Sequence, residues 1–368
     1  MGKELYILAG GGTGGHLYPG LAVAEQLKRL RPEAQIVFAC SNRDIDRRIL
    51  DAEPYAVVPQ PVRPLPSGPK QILPFLKAWH ASRKQARDMV RDLKPKAVLG
   101  LGGFAAAPVV RQAAKAGLRC ALLNPDAVPG RANRYLSRCV GAIFTQFEST
   151  QRHFAGCEQA KLHPVGCPVR SKLLSGRRDE AVRHFGLVDG RRTLLVFGGS
   201  LMAASINDAI AALAGEIAGL GQPWQLLHVA GAAASAAANE AYARAKLPAA
   251  VLDYCDRMDL AFAASDLVVC RGGASTLAEL TATATPAIIL PYPYHRDQHQ
   301  RHNAEAMVEA GAAICVTDAR DAAVNAGALR TTLLAVMNDA PRLAAMRAAA
   351  QGIGKPDAAQ DVAAWLVE

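Results

Sequence analysis

GGGTGGHLYPG, residues 10–20, follows directly on the apolar run of residues 5–9 and places five glycines ahead of His16. A buried strand running into such a loop brings bare backbone N–H groups close to a ligand. The helix beyond turns its partly positive N-terminus to the same spot, which suits an anionic group, most often a phosphate. A comparable signal stands at residues 194–200, where LLVF runs into Gly198-Gly199-Ser200. Two phosphate-type loops, one in each half, predict two similar lobes facing a shared cleft.

Outward from these loops the chain reads as repeated strand–helix units. Strands are expected at residues 5–9, 35–40, 56–59, 97–101, 121–124 and 142–145. The pattern restarts with strands at 194–197, 225–229, 250–254, 267–270 and 287–291. Helices are expected after the first glycine loop (19–30), from about Asp44, and over 70–93. Alternation of this kind gives an α/β protein with parallel sheets. Pro and Gly cluster at 164–168, where the first sheet is complete. The expected division is a Rossmann-like domain over 1–165, joined by a C-terminal helix (346–368) that docks back, and a second over 166–345. Val362, Trp365 and Leu366 form the apolar face of that tail. In doubly wound domains the ligand sits at the carboxyl ends of the strands, at the point where strand order reverses.

A length of 368 residues suits two domains, and 51% hydrophobic with 20% charged residues is globular composition. The net charge of +10 fits an anionic membrane surface or a phosphorylated substrate. No long Lys/Arg block or RNA-type aromatic motif accompanies it, so nucleic acid is not expected as a partner. The eight cysteines show no metal spacing and read as small core residues of a reducing compartment. No apolar stretch is long enough to span a bilayer, and none reads as a signal peptide.

Residues 10–15 satisfy GxGxxG, but the second strand ends in Cys40-Ser41-Asn42 with no acid to hold a ribose, which disfavours a dinucleotide. No Lys-Ser/Thr closes the loop as a P-loop would. His16, at a helix start, is expected to stay neutral and available as a base. In CRGGASTLAE (270–279) a strand again turns through glycines into a helix. The amides of Ala274, Ser275 and Thr276 suit a diphosphate. Glu279 either holds a ribose or closes a capping box with Thr276. DQHQ (297–300) offers polar groups suited to sugar hydroxyls, and its histidines match no zinc spacing. The pair Asp44 and Asp46 reads as favourable charge at a helix start rather than as a metal motif. In the basic helix over 70–96, Ile72, Leu73, Phe75, Leu76 and Trp79 are expected to include a membrane-facing edge.

Taken together, GGTGGHLYPGLAVA (11–24), LGLGGF (99–104), PGRANR (129–134), VGCPVR (165–170), CRGGASTLAE (270–279) and DQHQRHNA (297–304) resemble the MurG family of bacterial transferases. The resemblance covers nearly the whole chain and implies a GT-B fold, acceptor lobe first and donor lobe second. The family moves N-acetylglucosamine from UDP to a lipid-linked muramyl-pentapeptide in peptidoglycan synthesis. By this resemblance Thr13, Gly14 and Gly15 approach the donor, Arg170 and Ser200 its phosphates, and Ala274 to Thr276 the diphosphate. Glu279 holds the ribose, Cys255 falls at the uracil contact, and His299 and Gln300 reach the transferred sugar. His16, Phe104, Asn124 and Asp126 are implied on the acceptor side, with His16 first and Asp126 second choice as base. Two departures stand out: Leu123-Asn124-Pro125-Asp126 where the family reads His-Glu-Gln-Asn, and Leu201-Met202 in the donor loop in place of Gln-Gly.

The resulting expectation is an inverting transfer without cofactor or metal, carried out at the cytoplasmic face of the bacterial inner membrane by a peripheral protein. Its partners are UDP-N-acetylglucosamine, the lipid-linked acceptor and an anionic membrane. A transferase for another lipid, a sugar-nucleotide epimerase on the same fold and an inactive membrane-bound scaffold are the rival readings.

Overall fold

The computed structural model describes residues 4–198, 203–294 and 297–368. The chain divides into two compact units, Met1–Arg170 together with Pro356–Glu368, and Ser171–Lys355. The division falls after the expected Pro/Gly cluster. Residues 346–353, expected to dock on the first unit, belong to a helix of the second.

The first unit is built on strands β1 (Leu5–Gly10), β2 (Gln35–Ser41), β3 (Ala56–Gln60), β4 (Ala97–Gly102), β5 (Arg119–Asn124), β6 (Ala142–Thr145) and β7 (Leu162–His163). Helices α1 (Gly14–Leu30), α2 (Asp44–Leu50), α3 (Ile72–Leu93), α4 (Ala106–Lys115) and α5 (Arg131–Leu136) connect them. The strands form one parallel sheet in the order β3-β2-β1-β4-β5-β6-β7. Every residue of β1 is buried, as both-face burial in a parallel sheet demands. Tyr6 and Leu8 point into one core with Phe38 and Leu99, while Ile7 and Ala9 point into the other with Val98 and Val110.

The second unit carries α6 (Arg178–Phe185), then β8 (Arg192–Phe197), β9 (Trp224–Val229), β10 (Ala249–Leu252), β11 (Leu267–Cys270), β12 (Ala287–Ile289) and β13 (Ala313–Cys315). Its other helices are α7 (Ala204–Ala212), α8 (Ala214–Ala218), α9 (Ser235–Arg244), α10 (Met258–Ala264), α11 (Ala274–Ala282), α12 (His299–Glu309), α13 (Ala322–Asn338) and α14 (Ala340–Ile353). This sheet is also parallel, ordered β10-β9-β8-β11-β12-β13. Strand order reverses between β1 and β4 in the first sheet and between β8 and β11 in the second. The first reversal is flanked by the glycine turns that leave β1 and β4, and the second by the glycine turn that leaves β11.

The chain ends in α15 (Ala358–Val367), which returns to the first unit and packs Val362, Ala363 and Leu366 into the core beside α1. Arg119 fastens it: the guanidinium lies 3.8 Å from the Trp365 ring centroid, and Nε donates to the Trp365 carbonyl at 2.9 Å. Lys96 Nζ adds a bond to the Val367 carbonyl at 2.6 Å.

Two helix starts differ from expectation. Helix α1 begins at Gly14, so Pro19 lies inside it. A proline there forfeits the bond to the Gly15 carbonyl, which lies in the first turn of the helix. Helix α11 is capped by Gly273, which puts Thr276 within the first turn and Glu279 in the second. The capping-box reading of that pair is therefore wrong. Strands β7 and β13 were not anticipated; with two and three residues they are too short to show a pattern.

Candidate active site

In the first unit the site grows from the exit of β1. The carboxylate of Asp46, fully buried, accepts the Gly12 amide at 2.7 and 2.9 Å, the Ser41 amide at 3.0 Å and the Ser41 hydroxyl at 2.6 Å. Arg43 Nη1 donates to the Gly12 carbonyl at 2.8 Å. Asp46 is thus the brace of the glycine loop, not merely a favourable helix-start charge as the sequence suggested. Helix α1 then opens with Gly14 and Gly15 in its first turn, and no side chain caps it; Thr13 at the cap is exposed.

His16 lies against the turn that leaves β4. A Cβ on Gly102 would come within 2.9 Å of His16 Cδ2, and one on Gly103 within 2.8 Å of the Gly11 carbonyl oxygen. Only glycine permits the two loops to meet this closely. Burial holds the His16 imidazole below its ordinary pKa, opposed in part by Asp126, by a hydrogen bond to the Gly11 carbonyl and by Asp46. It is therefore neutral at pH 7. With one ring nitrogen donating to Gly11, the other keeps its lone pair. Thr13 Oγ1 stands 3.1 Å from His16 Nδ1.

The acceptor-side residues divide into facing and supporting ones. Asp126 is half-buried and lies within electrostatic reach of His16. Phe104 is half-buried with its ring edge over Gly12. Asn124, expected to touch the acceptor, is instead 1% exposed: Nδ2 donates to the Asp126 carbonyl at 2.7 Å and Oδ1 accepts from Asn133 at 2.9 Å. It shapes the loop that carries Asp126. Arg170, expected at the nucleotide phosphates, closes the first unit, where Glu25 and Glu53 each bind it at 3.0 Å. Its Nε and Nη1 are engaged by first-unit carboxylates, so the charge is already neutralised.

In the second unit the turn after β11 presents α11. The first intrahelical bond runs from the Leu277 amide to the Gly273 carbonyl at 3.0 Å. The amides of Ala274, Ser275 and Thr276 precede it and point out of the helix end, where the dipole favours an anion. Gly272 packs beneath the first turn of α12, where a Cβ would strike the Gln300 carbonyl. This close approach brings Gln300 beside the diphosphate-type turn. Gln300 Oε1 accepts the Tyr292 amide at 2.9 Å, and His299 Nδ1 stands 2.9 Å from Asp297 Oδ1. Glu279 is half-buried, its carboxyl has no hydrogen-bond partner among the described residues, and burial pushes that carboxyl up to about 7. Cys255 is buried in the connection after β10, and burial pushes its thiol up to about 11. Ser200, with Leu201 and Met202, lies outside the described residues.

Sequence reading missed one buried cluster behind this turn. Arg271, 9% exposed, donates to Asp318 Oδ2 at 2.7 Å, to Ser205 Oγ at 3.0 Å and to the Leu290 carbonyl at 2.9 Å. Nothing in residue spacing marks Ser205 or Asp318.

On the apolar edge, Ile72, Leu73 and Leu76 are 48%, 62% and 52% exposed. Phe75 and Trp79 are half-buried, stacked at 6.3 Å between ring centroids, and Trp79 packs on the core. A groove of about 460 Å³ runs beside them, lined by Pro61, Arg63, Leu73, Pro74 and Lys77 among others. Among the described residues no helix is long and apolar enough to cross a membrane, and no group of three or more His, Cys, Asp or Glu side chains is placed to hold a metal.

Two doubly wound parallel units with glycine turns at their switch points define the GT-B class of nucleotide-sugar enzymes. Family models described as the glycosyltransferase family 28 N-terminal and C-terminal domains match residues 6–145 and 193–362. The chain is 35% identical over 372 residues to a UDP-N-acetylglucosamine--N-acetylmuramyl-(pentapeptide) pyrophosphoryl-undecaprenol N-acetylglucosamine transferase of Desulforudis audaxviator, covering 97% of this chain and 96% of the relative. A Myxococcus xanthus protein of the same name is 35% identical over 365 residues, covering 98% and 92%. The crystal structure of Acinetobacter baumannii MurG superposes with a TM-score of 0.77 at 25% identity, covering 99% of each chain. The chain belongs to glycosyltransferase family 28, in its MurG group. A Neisseria meningitidis UDP-GlcNAc 2-epimerase, at 12% identity, TM-score 0.70 and 99% coverage of both chains, shares the fold alone.

Proposed function

We propose that this protein transfers N-acetylglucosamine from UDP to the 4-hydroxyl of the N-acetylmuramyl unit of a lipid-linked muramyl-pentapeptide. The observation that carries the donor half is the row of three outward amides at α11, with the unpartnered carboxyl of Glu279 one turn further on. A diphosphate at those amides and a ribose at Glu279 match the chemistry of each group. Gln300, with His299 beside it, supplies the polar contacts for the transferred sugar.

The acceptor half rests on His16. A neutral imidazole, whose second ring nitrogen keeps its lone pair, takes the proton of the attacking hydroxyl as the new glycosidic bond forms. The bond from the anomeric carbon to UDP breaks, and the charge that grows on UDP is met by the α11 amides without reorganisation. Asp126 steadies the imidazolium that results. The basic first unit and the exposed Ile72, Leu73 and Leu76 support peripheral attachment to an anionic membrane, on the cytoplasmic side where UDP-sugars are found.

The test is transfer from radiolabelled UDP-N-acetylglucosamine to a short-chain lipid I analogue. His16→Ala and Glu279→Ala are each expected to lower kcat/KM by at least about a hundredfold. Wild-type rates in both defeat the assignment. Incubation of the donor without acceptor, followed by product analysis, separates this reading from epimerisation.

A further inference from the structure

The second sheet has a buried cross-link at the carboxyl ends of four neighbouring strands. Arg271 leaves β11, Ser205 lies in the first turn of α7 after β8, Leu290 and Pro291 leave β12, and Asp318 leaves β13. The Asp318 side chain is 1% exposed and both its oxygens are doubly occupied. Oδ2 accepts from Arg271 Nη1 at 2.7 Å and from Ser205 Oγ at 2.7 Å. Oδ1 accepts from Asn325 Nδ2 at 2.9 Å and from the Arg320 amide at 2.8 Å. These bonds hold the carboxyl down to about 2 against its burial. Arg271 Nη1 also donates to the Leu290 carbonyl at 2.9 Å and the Pro291 carbonyl at 3.3 Å, Nη2 donates to Ser205 Oγ at 3.0 Å, and the Tyr292 ring centroid lies 5.8 Å from the guanidinium.

Such a cross-link is not needed to bury the sheet, whose core is apolar and complete without it. Buried ion pairs seldom add net stability over apolar packing of the same volume. What this one does is geometric. Arg271 is the residue directly before Gly272 and Gly273, so the direction of α11 is set where the guanidinium is gripped. With glycine on both positions that follow, the turn has no side chain of its own to hold it. Besides the grip on Arg271 it is held by the Asn303 Nδ2 bond to the Gly272 carbonyl at 3.3 Å and by packing on Gln300.

We propose that Asp318 is a positioning residue for donor binding: through Arg271 and Ser205 it fixes the turn from which Ala274, Ser275 and Thr276 present their amides to the donor diphosphate. The proposal rests on the donor reading given above. It assigns Asp318 no contact with substrate. Without the carboxylate, Arg271 is left as a buried, half-paired cation and turns toward other acceptors, and the row of amides moves with it. Misplacement of that order weakens the contacts to the phosphates of the bound donor, which is read in the donor KM and the UDP Kd, and the contacts to the departing UDP, which is read in kcat.

The experiment is steady-state kinetics and UDP calorimetry on the full chain with Asp318→Ala, Asp318→Asn and Ser205→Ala, below each variant's melting temperature. Asp318→Ala is expected to raise the KM for UDP-N-acetylglucosamine and the Kd for UDP by about tenfold, the value of a charge-assisted hydrogen bond. Its KM for the lipid I analogue stays within about twofold. Asp318→Asn, which keeps the shape and one acceptor, falls between, and Ser205→Ala raises the donor KM by about threefold. Wild-type donor KM and UDP affinity in Asp318→Ala, with only a lower Tm, overturn the proposal. If Asp318→Ala does not fold, an unchanged donor KM in Ser205→Ala overturns it equally. Failure of the wild-type chain to bind UDP is a different result: it removes the donor reading itself, and the proposal with it.

Discussion

The Gly12 amide donates to both carboxylate oxygens of Asp46, at 2.7 and 2.9 Å, across 34 residues of chain. One buried side chain therefore sets the path of the glycine loop that ends at His16. A Cβ on Gly11 would run into the same carboxylate, so the loop and the brace are fitted to each other.

Replacing Asp46 with Ala leaves the Gly12 amide, the Ser41 amide and the Ser41 hydroxyl without their acceptor. The expected cost is about 2–4 kcal/mol in urea denaturation. Asp46 holds the loop that carries Thr13, Gly14, Gly15 and His16, so transfer in Asp46→Ala should fall by more than about tenfold. Wild-type transfer rates in Asp46→Ala would show that the brace does not position the site.

Glu279 makes donor binding pH-dependent. Its carboxyl is pushed up to about 7 by burial, so it is half-protonated near neutrality. Ionised, it accepts from both hydroxyls of a ribose; protonated, it loses one acceptor. The donor KM should fall as pH rises from 6 to 8, and Glu279→Gln should flatten that profile.

The same group has a stability signature of definite sign. A carboxyl whose folded pKa lies above its unfolded value favours the native state most below the unfolded pKa, and that contribution is lost as pH rises through about 7. Glu279→Gln should therefore match wild type near pH 4 and gain about 1–3 kcal/mol over it by pH 8. Thermal melts across that range check it, and a gain confined to low pH contradicts it.

For the membrane edge, Leu73→Ser with Leu76→Ser is the informative pair, because both side chains are more than half exposed and support no core. Each leucine contributes about 1.5–3 kcal/mol when it enters an apolar phase. Co-sedimentation with anionic vesicles should drop at least tenfold while Tm stays within about 2 °C. Phe75 and Trp79 are poorer probes, since Trp79 packs on the interior and its loss would also unsettle α3.

Arg119→Ala removes both the cation over the Trp365 ring and the bond to the Trp365 carbonyl. A loss of about 1–2 kcal/mol is expected, with faster proteolysis near Pro356, where the chain returns to the first unit. Unchanged proteolysis would mean that the apolar face of α15 holds the helix unaided.

Much of this protein is written locally. Strands such as Ala142–Thr145 and Leu267–Cys270 are runs of buried apolar residues bounded by turn-forming ones, and such runs form strands wherever they lie. The two glycine turns, the helices after them and hence the two doubly wound sheets follow from residue type over short windows. So does His16, because its place at a helix start is a property of ten consecutive residues.

Other features have no local signature. Asp46 opens a helix like many acidic residues, Arg271 is a lone cation in a glycine turn, and Arg170 is placed at the nucleotide phosphates only by the resemblance. Their partners lie far along the chain: Arg271 meets Asp318 across 47 residues, and Arg170 meets Glu25 across 145. Which charges are consumed inside the scaffold and which are left for a ligand depends on where strand ends converge, and only packing fixes that. Windows of sequence encode backbone conformation, because it is set by neighbours a few bonds away. The fate of each polar group is set by distance through space, and it became visible only once each unit had folded and brought its own distant segments side by side.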